Sequence, residues 1–291
     1  MSQILTRSTI YAHGTAGLPL AVIGYPLAIW IPAHYAGELG LSLATVGVIL
    51  MLARLTDVIT DPTIGELSDR WRTPMGRRKP WLLAGVPIMM IGGYKLFIPD
   101  EQADMLYFLL WLTVFFLGST MIALPHRAWG AELSPDYHQR SRVTAAREIF
   151  VITGLMIAAA VPMIVEIRAD GGSGVGEVLS TLWRDAIGGF SGNFADKKIV
   201  DRATLTGPVL AGLAWTIIIV LPICATIVLT KVKEPAAVAD EKRPTFTEGL
   251  KLVAKNGPMV RVLIIAVLVY FGESFRNAVS LFFIRDIVGV P

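Results

Sequence analysis

The chain has 291 residues, of which 54% are hydrophobic and only 17% charged, with a formal net charge of +3 and a mean hydropathy of +0.59. A soluble domain of this length carries about 25% charged residues, so the composition excludes a soluble globular protein. It also excludes nucleic acid as the cause of the basic pI, because the Lys and Arg residues sit in short loops between apolar blocks. The single cysteine, Cys224, lies in an apolar block and excludes a disulfide framework or a thiolate metal site.

The apolar blocks are about 20 residues long, the length needed to cross a hydrocarbon core of about 30 Å. In chain order they predict seven spans, over residues 9–35, 43–64, 80–98, 105–129, 143–165, 208–229 and 259–284. The first block is too long for a cleavable signal peptide and lacks a small-residue cleavage site. Basic residues follow the second span (Arg70, Arg72, Arg77, Arg78, Lys79), the fourth (Arg140, Arg142) and the sixth (Lys231, Lys233, Lys242, Arg243). Alternate loops are acidic or balanced, as at Asp100, Glu101 and Asp104. The positive-inside rule then predicts a multi-pass protein of the cell's inner (plasma) membrane with a cytoplasmic N-terminus.

Two connections are long. In the outer one, 166–207, the spacing of Val175, Val178, Leu179, Leu182, Trp183 and Ile187 predicts a short interfacial helix. In the inner one, Thr245-x-x-Glu248 reads as a capping box ahead of an amphipathic helix carrying Phe246, Leu250 and Val253, which Asn256-Gly-Pro ends. The predicted domains are a six-helix bundle over 1–230, a cytoplasmic linker over 231–258 and a seventh span over 259–291. That last span carries Glu273, Arg276 and Asn277, which are costly in lipid and call for partners outside the chain, so further C-terminal helices are expected.

The second span holds two carboxylates, Asp57 and Asp61, one helical turn apart. A carboxylate at the middle of a membrane helix costs roughly 2.5–3.5 kcal/mol. Positions i and i+4 share a helix face, and such a pair suits a polar interior where it holds a cation. Arg54, one turn earlier, is placed to neutralise the pair when the cation is absent, or to serve as a structural partner of Asp57.

The loop that follows reads Gly65-Glu-Leu-Ser-Asp69-Arg70-Trp-Arg-Thr-Pro-Met-Gly76-Arg77-Arg78-Lys79-Pro-Trp. It resembles the signature loop of the major facilitator superfamily: Gly, then Asp-Arg, then Gly-Arg-Arg. Its physical reading is a tight helix contact at Gly65 and a carboxylate at Asp69 that locks one conformation through basic residues. The five-residue insertion, the Asp57/Asp61 pair and Lys79-Pro-Trp narrow the likeness to the glycoside–pentoside–hexuronide:cation symporters. The stretch from Leu124-Pro-His-Arg to Arg147 agrees. The likeness implies an all-α integral membrane fold, a six-helix bundle plus the first helix of a second one.

The resemblance implies Asp57 and Asp61 as cation carboxylates, with Thr60 where the family often has Asn and Thr120 as a hydroxyl ligand. It implies Arg147 as a substrate contact. The family's acidic sugar-binding positions are here Thr15, Ala16 and Ala123, and its aromatic platform is Arg127, with His126 and Trp129 nearby. Loss of the acids with retention of arginines points to an anionic solute such as a uronate or acidic glycoside. His13, His34 and His138 share no metal-ligand spacing and read as structural or interfacial. Arg54, Gly65, Asp69, Arg70, Arg77, Arg78, Glu273 and Arg276 are the expected conformational residues.

The implied function is secondary symport of a sugar or sugar acid driven by Na+ or H+, by alternating access, with no cofactor beyond the coupling ion. The competing readings are a non-transporting fragment and a seven-helix receptor; the seventh span has no lysine for a Schiff base. No nucleophile–base or metal cluster at one depth suggests an enzyme.

Overall fold

Local signals start several of the helices. In the computed structural model, which describes residues 5–100, 102–169, 206–235 and 246–282, Thr6, Ser42 and Asp104 are N-caps. Their side chains accept from the backbone N–H three residues on, at 3.3, 3.0 and 2.8 Å. The described elements are α1 (Arg7–Gly14), α2 (Gly17–Gly37), α3 (Leu43–Arg70), α4 (Lys79–Phe97), α5 (Met105–Glu132), α6 (Tyr137–Ala169), α7 (Thr206–Lys231), α8 (Phe246–Lys255) and α9 (Gly257–Phe282). Among the described residues the only β pairing is an isolated bridge between Thr73 and Gly76. The interfacial helix expected within 166–207 lies outside the described residues, apart from the helical end of α6.

Five helices, α3 to α7, are each long and apolar enough to cross a membrane. With 21 and 26 residues, α2 and α9 also have the length. The first predicted span is not one helix. It breaks between α1 and α2, where the Thr15 hydroxyl donates to the Ala12 carbonyl at 2.7 Å and to the Cys224 carbonyl at 3.5 Å. Such local hydrogen bonding competes with the helix ladder. Asn256 also differs from expectation: instead of only ending α8 it caps α9, accepting from the Met259 N–H at 3.2 Å. Thr245 of the expected capping box is outside the described residues.

Two compact units result, Met1–Pro235 and Ala236–Pro291. In the first, α5 packs on α3 and α4, α2 on α6 and α7, α1 on α6, and α4 on α7. The α4–α5 contact is backbone-close. A Cβ on Gly118 would lie 2.5 Å from the Met89 nitrogen, and one on Gly92 would lie 2.9 Å from the Phe115 nitrogen. Small residues let apolar helices approach where lipid supplies no hydrophobic drive between them. Tyr35 stacks on Phe108 with ring centroids 4.0 Å apart and donates its hydroxyl to the Leu96 carbonyl at 3.0 Å, tying α2 to α4 and α5. In the second unit, α8 and α9 pack together. Glu273 lies on α9 and is not without an interaction in the chain. The side chains of Arg276 and Asn277 lie outside the described residues.

Candidate functional site: a carboxylate pair and an arginine-lined cavity

The face of α3 that carries Asp57 and Asp61 turns toward α5. Thr120 on α5 donates its hydroxyl to Asp61 Oδ1 at 3.0 Å. Asp57 is held by Arg54, whose Nη1 is 3.4 Å from Oδ2, while the guanidinium lies 4.3 Å from the Phe116 ring centroid on α5. Two oxygens of the group, Asp57 Oδ1 and Thr60 Oγ1, are buried without a hydrogen-bond partner. An unsatisfied buried polar atom costs about 1–3 kcal/mol. Carboxylate and hydroxyl oxygens are the donors that hard cations take; here Thr120 touches Asp61, and Asp57 and Thr60 lie on the adjacent turn of α3.

A second feature lies along the same helix. Thr120, Ala123 and Arg127 are at i, i+3 and i+7 and share a face of α5. Ala123, His126 and Arg127 line a cavity of about 240 Å³ together with Gly17, Arg147 and Glu148. At 1.5 Å per residue, Arg127 is about 10 Å along the axis from Thr120. Glu148 was not foreseen. It accepts from Arg147 Nη2 at 2.5 Å and from Nε at 3.2 Å. Arg147 therefore has an acidic partner of its own at the cavity wall. The three charges of the cavity sum to +1 (two Arg, one Glu).

His126 lines the cavity but is otherwise locked. Its Nε2 is 2.9 Å from the His13 carbonyl, His13 Nε2 is 3.2 Å from the His126 carbonyl, and the rings stack 4.0 Å apart. Trp129 does not line the cavity. It is fully buried, edge-on to His13, with Lys79 Nζ 5.7 Å from its ring centroid. Two residues past Arg127, about 200° around the helix, it turns into the core.

The signature loop forms a charge cluster at one end of the bundle. Arg78, 2% exposed, pairs with Asp69, with Glu132 at 2.9 Å and with the Ser68 hydroxyl at 2.9 Å. Arg77 pairs with Glu132 at 2.9 Å. Glu234, just after α7, accepts the backbone N–H groups of Arg77 at 2.7 Å and Arg78 at 3.0 Å. Gly76 adopts φ 115°, and a Cβ there would run into the Glu234 carboxylate. Lys79 Nζ donates to the Leu229 carbonyl at 2.8 Å. The cluster ties α3, α4, α5 and the end of α7. Glu132 and Glu234 were missed from sequence, since each looks like an ordinary helix-end acid. Arg70 stands outside the cluster, in an exposed pair with Glu66 at 2.8 Å. Gly65 makes no tight contact: a Cβ there would meet nothing within 4 Å among the described residues, which corrects that expectation.

The family model for MFS/sugar transport proteins matches residues 12–291. The chain belongs to this family of major facilitator transporters. An uncharacterized symporter of Synechocystis is 30% identical over 54% of this chain and 32% of its own length. A sodium-dependent lysophosphatidylcholine symporter of Danio rerio is 22% identical over 99% of this chain and 58% of its own. An inner membrane symporter of Escherichia coli is 26% identical over 56% and 36%. The chain spans between about a third and three-fifths of the length of these relatives.

Proposed function

We propose that the chain is the first bundle, the linker and the seventh span of a Na+-coupled symporter of the cell's inner (plasma) membrane, with the basic loops cytoplasmic. The supporting observation is the hydrogen bond from Thr120 on α5 to Asp61 on α3, with the buried oxygens Asp57 Oδ1 and Thr60 Oγ1 on the neighbouring turn left unpartnered. A proton needs one carboxylate, whereas a second carboxylate and two hydroxyls are further oxygen ligands that a metal cation uses. Na+ would displace the Arg54 guanidinium from Asp57 and draw α3 against α5. Because α5 also carries Ala123 and Arg127, that shift changes the cavity. Coupling is then the difference in solute affinity between cation-bound and cation-free states. The cluster around Arg77, Arg78, Glu132 and Glu234 holds one of the alternating conformations.

The cavity's net charge of +1 and its two guanidiniums fit an anionic solute, a uronate or acidic glycoside, held by paired hydrogen bonds. A phosphodiester would satisfy the same groups, and the name of the Danio rerio relative makes it the second reading. The test is competition for uptake in cells expressing the complete gene, by a hexuronate, the matching neutral hexose and lysophosphatidylcholine. Inhibition by the hexuronate over the hexose, reduced in Arg147→Lys because an ammonium cannot reproduce the fork, supports the uronate. Inhibition by the lysophospholipid alone selects the second reading. Equal inhibition by hexuronate and hexose, unaltered in Arg147→Lys, assigns the arginines to packing.

A further inference from the structure

A second arginine-lined cavity, of about 460 Å³, opens where α1 and α6 begin, and nothing in the symport reading uses it. Arg7 and Arg142 stand at its rim, both exposed, with Tyr11 beside them. Neither guanidinium has an acidic partner among the described residues, in contrast to Arg77, Arg78 and Arg147. The lower wall is apolar. Ile10 belongs, with Val143 and Ala146, to a small hydrophobic cluster separate from the main core, against which Leu5 packs. From the cavity, Ile149, Ile152 and Met156 continue along α6 as an exposed apolar stripe. On α6 the stripe and Arg142 lie on the other side of the α1 and α2 contact from Arg147 and Val151, so this cavity is distinct from the one at Arg127.

We propose that this cavity binds an anionic phospholipid of the leaflet next to the basic loops, with the headgroup phosphate between Arg7 and Arg142 and an acyl chain along Ile149, Ile152 and Met156. Charge complementarity selects the occupant: two unpaired guanidiniums at the end of a membrane bundle, above an apolar track, match a phosphate ester joined to a hydrocarbon chain. Basic pockets between membrane helices on the cytoplasmic side take such headgroups, and each basic residue near an anionic surface contributes about fivefold in binding. Assigning the leaflet rests on the orientation proposed above; the binding itself does not depend on transport.

The experiment is native mass spectrometry of the purified chain in micelles containing equal phosphatidylglycerol and phosphatidylcholine. The wild type should retain phosphatidylglycerol preferentially, and millimolar inorganic phosphate should not displace it. Arg7→Gln/Arg142→Gln should lose the preference by about an order of magnitude, while Arg7→Lys/Arg142→Lys keeps most of it. Ala145→Glu, which places a carboxylate at the exposed wall, should lose it too and decides the matter if the double variant does not fold. Equal retention of the two lipids by the wild type, or an unchanged preference in Ala145→Glu, overturns the proposal. Displacement by inorganic phosphate also overturns it, because the site then serves a free anion. Loss of anion-selective uptake in Arg147→Lys leaves this result untouched, so the two readings fail separately.

Discussion

Glu234 offers the most direct test of the charge cluster. Its side chain, 6% exposed, takes two backbone N–H groups and lies 3.9 Å from Arg77 Nε. Glu234→Ala removes two charge-assisted hydrogen bonds and leaves buried donors at Arg77 and Arg78 unmatched. Breaking a buried charged group of this kind costs about 3–5 kcal/mol. For a bundle of this size, 1 kcal/mol shifts the melting temperature by about 2–4 °C, so a fall on the order of 10 °C is expected. Glu234→Gln keeps one accepting oxygen and should lose about half as much. The protein carries its own reporter: Cys224 is its single cysteine and is buried in α7. A fluorogenic maleimide that reacts only when Cys224 becomes exposed follows unfolding directly. A melting temperature for Glu234→Ala within about 1 °C of wild type would refute the reasoning, since 3 kcal/mol cannot be lost that quietly.

Four further outcomes follow from the same geometry. Asp61→Asn or Asp57→Asn should abolish cation-driven uptake while sparing solute exchange; uptake with unchanged Na+ and pH dependence removes that carboxylate from the site. Thr120→Val deletes the hydroxyl bonded to Asp61 and should raise the half-activating Na+ concentration about tenfold, the equivalent of one hydrogen bond of about 1.4 kcal/mol. Arg54→Gln removes the resident guanidinium from Asp57 and should lower that concentration; a rise shows that Arg54 organises the site instead of competing for it. Gly118→Ala pushes a methyl into the Met89 backbone and should destabilise by about 1–3 kcal/mol, read as earlier Cys224 labelling on heating.

Membrane class, the positions of the long apolar helices and the shared face of Asp57 and Asp61 were legible in the sequence because each rests on local physics. Hydrocarbon thickness sets block length, insertion cost flags Asp57 and Asp61, and a helix places i and i+4 on one face whatever it packs against. The break after Gly14 was less visible, since it depends on a Thr15 hydroxyl finding carbonyls at Ala12 and, across the bundle, Cys224. What only the tertiary structure decided concerns contacts between helices distant in sequence. Glu234 meets Arg77 across 157 positions, and Thr120, which only the family resemblance had set beside the carboxylates, meets Asp61 across 59. No periodicity within one helix encodes that. Trp129 shows the same limit from the other side: two residues from Arg127, it points into the core, because 100° per residue separates neighbours on a helix and only the placement of α2 and α6 beside α5 says which direction is the cavity.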